Sequence, residues 1–193
     1  MKKVSLFPLL LLILCASTVW GLPKESEVTA TNSRSAKKEK VYLLHADSLT
    51  FDADKSADYR VLHGNVQFRK DSMYMYCDSA YFYEANNSLD AFSNVRMEQG
   101  DTLFIYGDVL YFDGNEQIAR LRDNVCMENR NVTLFTDSLN YEMRPNIGYF
   151  FDGGSIIDEK NELTSLYGQY SPDTKDAIFN YEVVLTNDKY VIY

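Results

Sequence analysis

One carboxylate recurs along this chain at a nearly fixed interval. Asp47, Asp78, Asp108 and Asp137 stand 31, 30 and 29 residues apart. Acidic repeats can hold calcium, but such sites draw several oxygens from one short, Gly-rich loop. A single Asp per period supplies too few, so the series reads as a structural corner and not as a cation site. His45 and His63 have no Cys or third His beside them, whereas a metal centre needs a fuller donor set. Five Asp-Ser/Thr-apolar tripeptides (47–49, 71–73, 78–80, 101–103 and 137–139) match an O-glycan acceptor pattern of some anaerobic bacteria. The repeat cadence alone accounts for three of them. Asn86-Asn87-Ser88 and Asn131-Val132-Thr133 fit the eukaryotic N-glycan acceptor. Two carboxylates over a groove could cleave a glycoside. In repeat enzymes, however, the catalytic residues interrupt the repeat, and here the Asp residues are the repeat. There is no nucleophile elbow, no Ser–His–Asp set and no phosphate loop. The expectation is a protein that is not an enzyme, with no metal and no cofactor.

The elements that carry these Asp residues come from the surrounding pattern. The segments HADSLTF (45–51), YCDSAYF (76–82), YGDVLYF (106–112) and FTDSLNY (135–141) repeat, and YGQYS (167–171) keeps the phase without the Asp. A second signature is interleaved: HGNVQF (63–68), FSNVRM (92–97) and DNVCM (123–127), then the degenerate DGGSII (152–157) and NYEVVL (180–185). Repeats of this length mark an architecture built by stacking one unit. Each period of about 30 residues contains two strand-like stretches separated by short polar turns, several of hairpin length. Fifteen Tyr and eleven Phe suit a pleated surface. The expected fold is all-β: an antiparallel meander of about eleven strands.

Apolar residues sit at −5, −3, +2 and +4 from each Asp, for example Met73, Met75, Ala80 and Phe82. A flat strand keeps one parity on one face. The slip at the Asp predicts a bulge or sharp bend there. The Asn signature predicts a second corner, since Asn tolerates left-handed backbone. Bent strands stacked in this way make a long trough or flattened barrel with an apolar interior, a β-jellyroll or taco shape. Its expected lining is Leu49, Phe51, Val66, Phe68, Ala80, Phe82, Val95, Met97, Leu110, Phe112, Val125, Met127, Leu139 and Tyr141. A strand of about 12 residues spans roughly 40 Å, so each wall of a bent strand is about 20 Å deep. That depth and an aliphatic, Met and Phe lining suit a fatty acyl chain.

Lys2 and Lys3 precede an apolar run from Leu6 to Ala16 and small residues to Gly21. This is the layout of a secretory signal, assigned to 1–21. A lipoprotein signal acylated at Cys15 is the alternative, although Leu14 is larger than the residue such a Cys normally follows. Residues 22–40 read as a flexible polar linker, and 41–193 as the repeat domain. Seven of the 19 basic residues but only three of the 28 acidic ones precede Val41, which leaves 41–193 at a net −13. That charge argues against a nucleic-acid partner, which needs a basic face. The array stops at Tyr193, two positions before the next expected Asp and without a capping unit. Either the chain is a fragment of a longer protein or its last edge is left open for strand addition.

The tandem x-x-A-D-S-L-x-[FY] and G-N-V units behind a signal peptide resemble the OstA-like, LptA-type family of lipopolysaccharide-transport β-jellyrolls, essentially throughout 41–193. The resemblance implies a periplasmic protein, possibly outer-membrane associated, that shields the acyl chains of lipopolysaccharide (lipid A) and passes them toward the outer membrane. It implies as partners other jellyroll proteins of the bridge, joined by edge-strand addition, and head-to-tail self-association. An exported structural or adhesive β-repeat scaffold without lipid cargo is the alternative. The meander also predicts no bond between Cys77 and Cys126, because two strands should separate them by about 14 Å, beyond the reach of a disulfide.

Overall fold

A computed structural model describes residues 39–51 and 58–193. The signal segment and nearly all of the linker lie outside the described residues. The chain forms one antiparallel sheet. Its first strands are β1 (Tyr42–His45), β2 (Ser48–Thr50) and β3 (Arg60–Lys70). The long strands β4 (Met73–Tyr83), β5 (Ser88–Gln99), β6 (Leu103–Asp113), β7 (Ile118–Asn129) and β8 (Val132–Glu142) follow. Shorter strands complete it: β9 (Ile147–Phe150), β10 (Gly154–Ile157), β11 (Asn161–Ser165), β12 (Tyr167–Tyr170), β13 (Ala177–Asn180), β14 (Val184–Asn187) and β15 (Tyr190–Ile192). A short 3-10 turn, Glu84–Asn86, links β4 to β5.

Each strand from β3 to β8 pairs with its sequence neighbours, as the meander predicts. The pairs β1/β2, β9/β10, β11/β12 and β13/β14 are each two halves of one bent strand, split at the bend. The fifteen short strands therefore amount to the eleven bent ones expected. The sheet is not closed into a barrel by strand pairing; its path runs from β1 to β15. It folds over along its middle instead. One wall carries the halves around 66–77, 95–107 and 125–136, and the other those around 60–63, 79–83, 88–92, 109–113 and 118–122.

The bend lies where the Asp signature places it. On β4, Met73, Met75 and Cys77 point inward, then Ala80 and Phe82 do, so parity changes at Asp78–Ser79. The Asn signature does not make a second corner. It lies beside the Asp in the same corner. Tyr76 pairs with Arg96 and Ser79 with Phe92, so β5 places one more residue in the bend than β4 does. The extra residue is absorbed by consecutive left-handed residues: Gly64–Asn65, Ser93–Asn94 and Asp123–Asn124 all have positive φ. Gly, Asn, Asp and Ser tolerate that backbone with the least steric cost or with local hydrogen bonds. At Gly64 a side chain is also excluded by space, since an added Cβ would run into the Asp47 carboxylate.

The interior is filled. Leu62, Val66, Met97, Ile105, Leu110, Leu121 and Leu139 lose essentially all contact with water. The two walls touch across it: the rings of Phe68 and Phe82 stand 5.3 Å apart. A Cβ on Gly148 would sit 3.2 Å from the sulfur of Met127 on the opposite wall. Burial of this many apolar side chains, each worth about 1.5–3 kcal/mol, is the main force holding the bent sheet shut.

Candidate apolar interior and its polar seam

Twelve of the fourteen expected lining residues are buried: Val66, Phe68, Ala80, Phe82, Val95, Met97, Leu110, Phe112, Val125, Met127, Leu139 and Tyr141. Leu49 and Phe51 are not; they are 49% and 57% exposed. Leu49 pairs with the buried Leu62, which puts it on the inner side. It stays wet because β2 is an edge strand, paired only with β3 among the described residues. Tyr42 and Leu44, expected inside at −5 and −3, are exposed as well. A register shift between Leu43 and His45 makes Leu44 the extra residue of a bulge. Upstream of it the parity reverses, so Val41 and Leu43 face the core in their place.

The corner itself is a polar row on the outside of the bend. The side-chain amide of Asn65 donates to Asp47 at 2.8 Å, that of Asn94 to Asp78 at 2.6 Å and that of Asn124 to Asp108 at 2.6 Å. The backbone N–H of Asn124 also donates to Asp137 at 3.1 Å. Hydrogen bonds to an ionised carboxylate are the stronger kind. Among the described residues no group of His, Cys, Asp and Glu has the makings of a metal site.

Opposite the corner, where the walls meet, the contacts are polar. Tyr141 donates to Gln99 at 3.1 Å, and the buried hydroxyl of Tyr170 to Asn129 at 3.1 Å. The N–H of Val41 donates to Asn87 at 2.7 Å, and the Gln117 amide reaches Asp71 at 3.5 Å. Each bond joins one wall to the other. Lys70 is wholly buried at this rim, with its ammonium 2.5 Å from Asp71. Burial pushes the Asp71 carboxyl upward, but hydrogen bonds from Lys70 and Glu39 and the Lys70 charge outweigh it and hold the group below its usual range. These seam residues escape a search for apolar positions. A signal for them exists all the same. Lys70, Gln99 and Asn129 continue the inward parity of Phe68, Met97 and Met127, two residues nearer the hairpin tips.

The two cysteines obey the strand order. β5 and β6 separate β4 from β7, and Cys77 faces the core while Cys126 faces outward. Both are free thiols. Burial pushes the Cys77 thiol up to about 12 and that of Cys126 to about 11.

Together, the single antiparallel sheet, the shared corner and the continuous apolar interior define a folded-over β-jellyroll. The sequence model of the OstA-like proteins matches residues 38–193, and the chain belongs to that family. A search of the curated proteins finds no match. Among solved structures, the chain is similar to LptH of Pseudomonas aeruginosa, the LptA-homologous periplasmic component of a lipopolysaccharide transport device. Identity is 10%, 77% of this chain and 95% of that one are covered, and the TM-score is 0.33.

Proposed function

We propose that this protein is an exported jellyroll of lipopolysaccharide transport that shelters acyl chains between its two walls. Family membership supports the reading. The observation that carries it is the contrast between interior and seam. The interior is continuously apolar from β3 to β8, and its one open side is bridged by a few polar side-chain contacts. Such contacts are each worth only about 0.5–1.5 kcal/mol net, so the walls can part there while the hydrogen-bonded corner holds. With the walls apart, the lining residues named above would contact the lipid. Residues 1–21 would direct export to the periplasm, and 22–40 would tether the domain. Cargo would pass to other jellyrolls joined at an edge strand; β1, with Tyr42 and Leu44 exposed, offers such an edge.

A second reading, an exported β-repeat scaffold without cargo, is favoured by one observation: side chains of the two walls already fill the interior. Neighbouring residues separate the two. Phe112 points inward and Tyr111 outward on β6. A photo-cross-linking side chain at position 112 should give a lipopolysaccharide adduct in cells, and one at 111 should not. Equal yields at both positions, or none at 112, would leave the scaffold reading.

A further inference from the structure

The outer surface beside the corner carries a feature that the lipid reading does not use. Two residues before each corner Asp stands an aromatic ring: His45, Tyr76, Tyr106 and Phe135. Strand register puts these rings in one straight row. Tyr76 pairs with Arg96, Arg96 with Tyr106, Tyr106 with Cys126 and Cys126 with Phe135. At the other end Gln67 pairs with both His45 and Tyr76. One ring falls on every second strand, so successive rings are about 10 Å apart.

Each ring from Tyr76 on borders a depression of its own. Tyr76, Asp78 and Asn94 line one of about 300 Å³. Tyr106, Asp108 and Asn124 line the next, also about 300 Å³. Phe135, Asp137 and Asp152 line a third of about 540 Å³. The pockets thus share one composition: a flat ring, a carboxylate and a further amide or carboxylate. Asp78, Asp108, Asp137, Asn94 and Asn124 are all exposed. Arg96 extends the platform between two rings, with its guanidinium 4.4 Å from the Tyr76 ring centre and 2.8 Å from Glu98.

A row of identical pockets with a fixed step selects a ligand with the same step. A flat ring stacks on the C–H face of a pyranose, and paired carboxylate and amide groups bridge adjacent sugar hydroxyls. In an extended β-1,4-linked glycan the disaccharide repeat is close to the ring spacing here. The pocket carboxylates and the net −13 of residues 41–193 disfavour a polyanion. We propose that this row binds an extended, uncharged polysaccharide lengthwise along the corner, one disaccharide per pocket. The row lies across the bend from the polar seam, so it would leave the interior free for lipid.

The test is calorimetric titration of the full mature chain with β-1,4-linked N-acetylglucosamine oligomers, from dimer to octamer. Affinity should rise with each added disaccharide until the row is filled. Tyr106→Ala should lower it by about tenfold, close to 1.4 kcal/mol, and Tyr106→Phe should restore it. Tyr111→Ala, on the other wall's outer face, should leave it unchanged. Circular dichroism and melting of each variant check that the fold is intact. Absence of binding by every neutral oligomer would overturn the proposal. So would affinity independent of length, insensitivity to Tyr106→Ala, or binding confined to hyaluronate or to the sugar part of lipopolysaccharide.

Discussion

The six long strands β3–β8 and the shorter strands β9–β15 follow the same bent path, yet only the first set runs through the corner unbroken. On β4 and β6 the Asp sits between two Asn-type bulges, each with its left-handed pair. On β8 the bulge on one side is degenerate. There the hydroxyl of Thr136 donates to the Gly153 carbonyl at 2.7 Å, and the N–H of Phe151 donates to Ser138 at 3.3 Å. Both hydroxyl residues are nearly buried, and β8 stays whole. Beyond it the Asp position is Gly168, the Asn position falls in Tyr181–Glu182, and every strand splits in two at the bend. β1/β2 splits too, although Asp47 keeps its bond to Asn65, because that strand has a partner on one side only. The corner carboxylate is therefore a local staple, and it holds a strand continuous only when both neighbours grip it.

The largest test of this contrast lies in the packing. Phe112→Asp puts an unpaired charge into the filled interior of the long-strand region, so it should cost several kcal/mol. Phe179→Asp, on the half-buried β13, should cost much less. Urea denaturation of both variants measures the difference. Equal losses would mean that the two regions are one cooperative core of uniform density.

Alkaline titration comes next in size. Cys77 lies in the long-strand region, and burial raises its thiol from the ordinary 9 to about 12. Below pH 9 the thiol is neutral in folded and unfolded chains alike, and stability is unaffected. Between 9 and 12 the unfolded chain loses its proton and the folded one keeps it. Stability should therefore fall by about 1.4 kcal/mol per pH unit in that window from this group. Cys77→Ala should flatten that slope. Tyr83, raised to about 12 by burial and by Asp90, contributes in the same direction. Alkylation of Cys77 in the native protein should be slow for the same reason. A slope unchanged in Cys77→Ala would show the thiol to be solvated.

Much of this architecture was legible one residue at a time. The parity slip at Asp78 and Asp108 gave two walls and an inward set because side-chain alternation is a local property of a strand. Two features were hidden because each depends on a partner strand. The bulge at Leu44 is a matter of register with Phe68 and Gln67, and without it Tyr42 and Leu44 look like lining. The seam was hidden because Gln99, Asn129 and Lys70 flank turns, where polar residues are ordinarily solvated. Only the fold brings Tyr141 and Tyr170 over two of them. That the interior is filled is likewise a three-dimensional fact, set by how closely Met127 and Gly148 approach.

The smallest effect isolates the corner itself. Asn94 has two roles: it holds a φ of 50° and donates to Asp78. Asn94→Gly keeps the backbone freedom and removes the donor, so its cost is the hydrogen bond alone, about 0.5–1.5 kcal/mol, toward the lower end because the pair is exposed. Asn94→Ala removes the donor and also forces a Cβ into left-handed backbone, adding about 1–2 kcal/mol. Glu182 in the terminal corner has a φ of 53°. Nothing comparable to the Asn–Asp bond is made there, because the facing Asp position is Gly168. Glu182→Gly should then be neutral or stabilising, since it relieves the backbone without breaking a staple. Thermal melting of the three variants gives the order. If Glu182→Gly destabilised as much as Asn94→Gly, glycine flexibility alone would account for both, and the Asn–Asp bond would have no part in keeping the long strands whole.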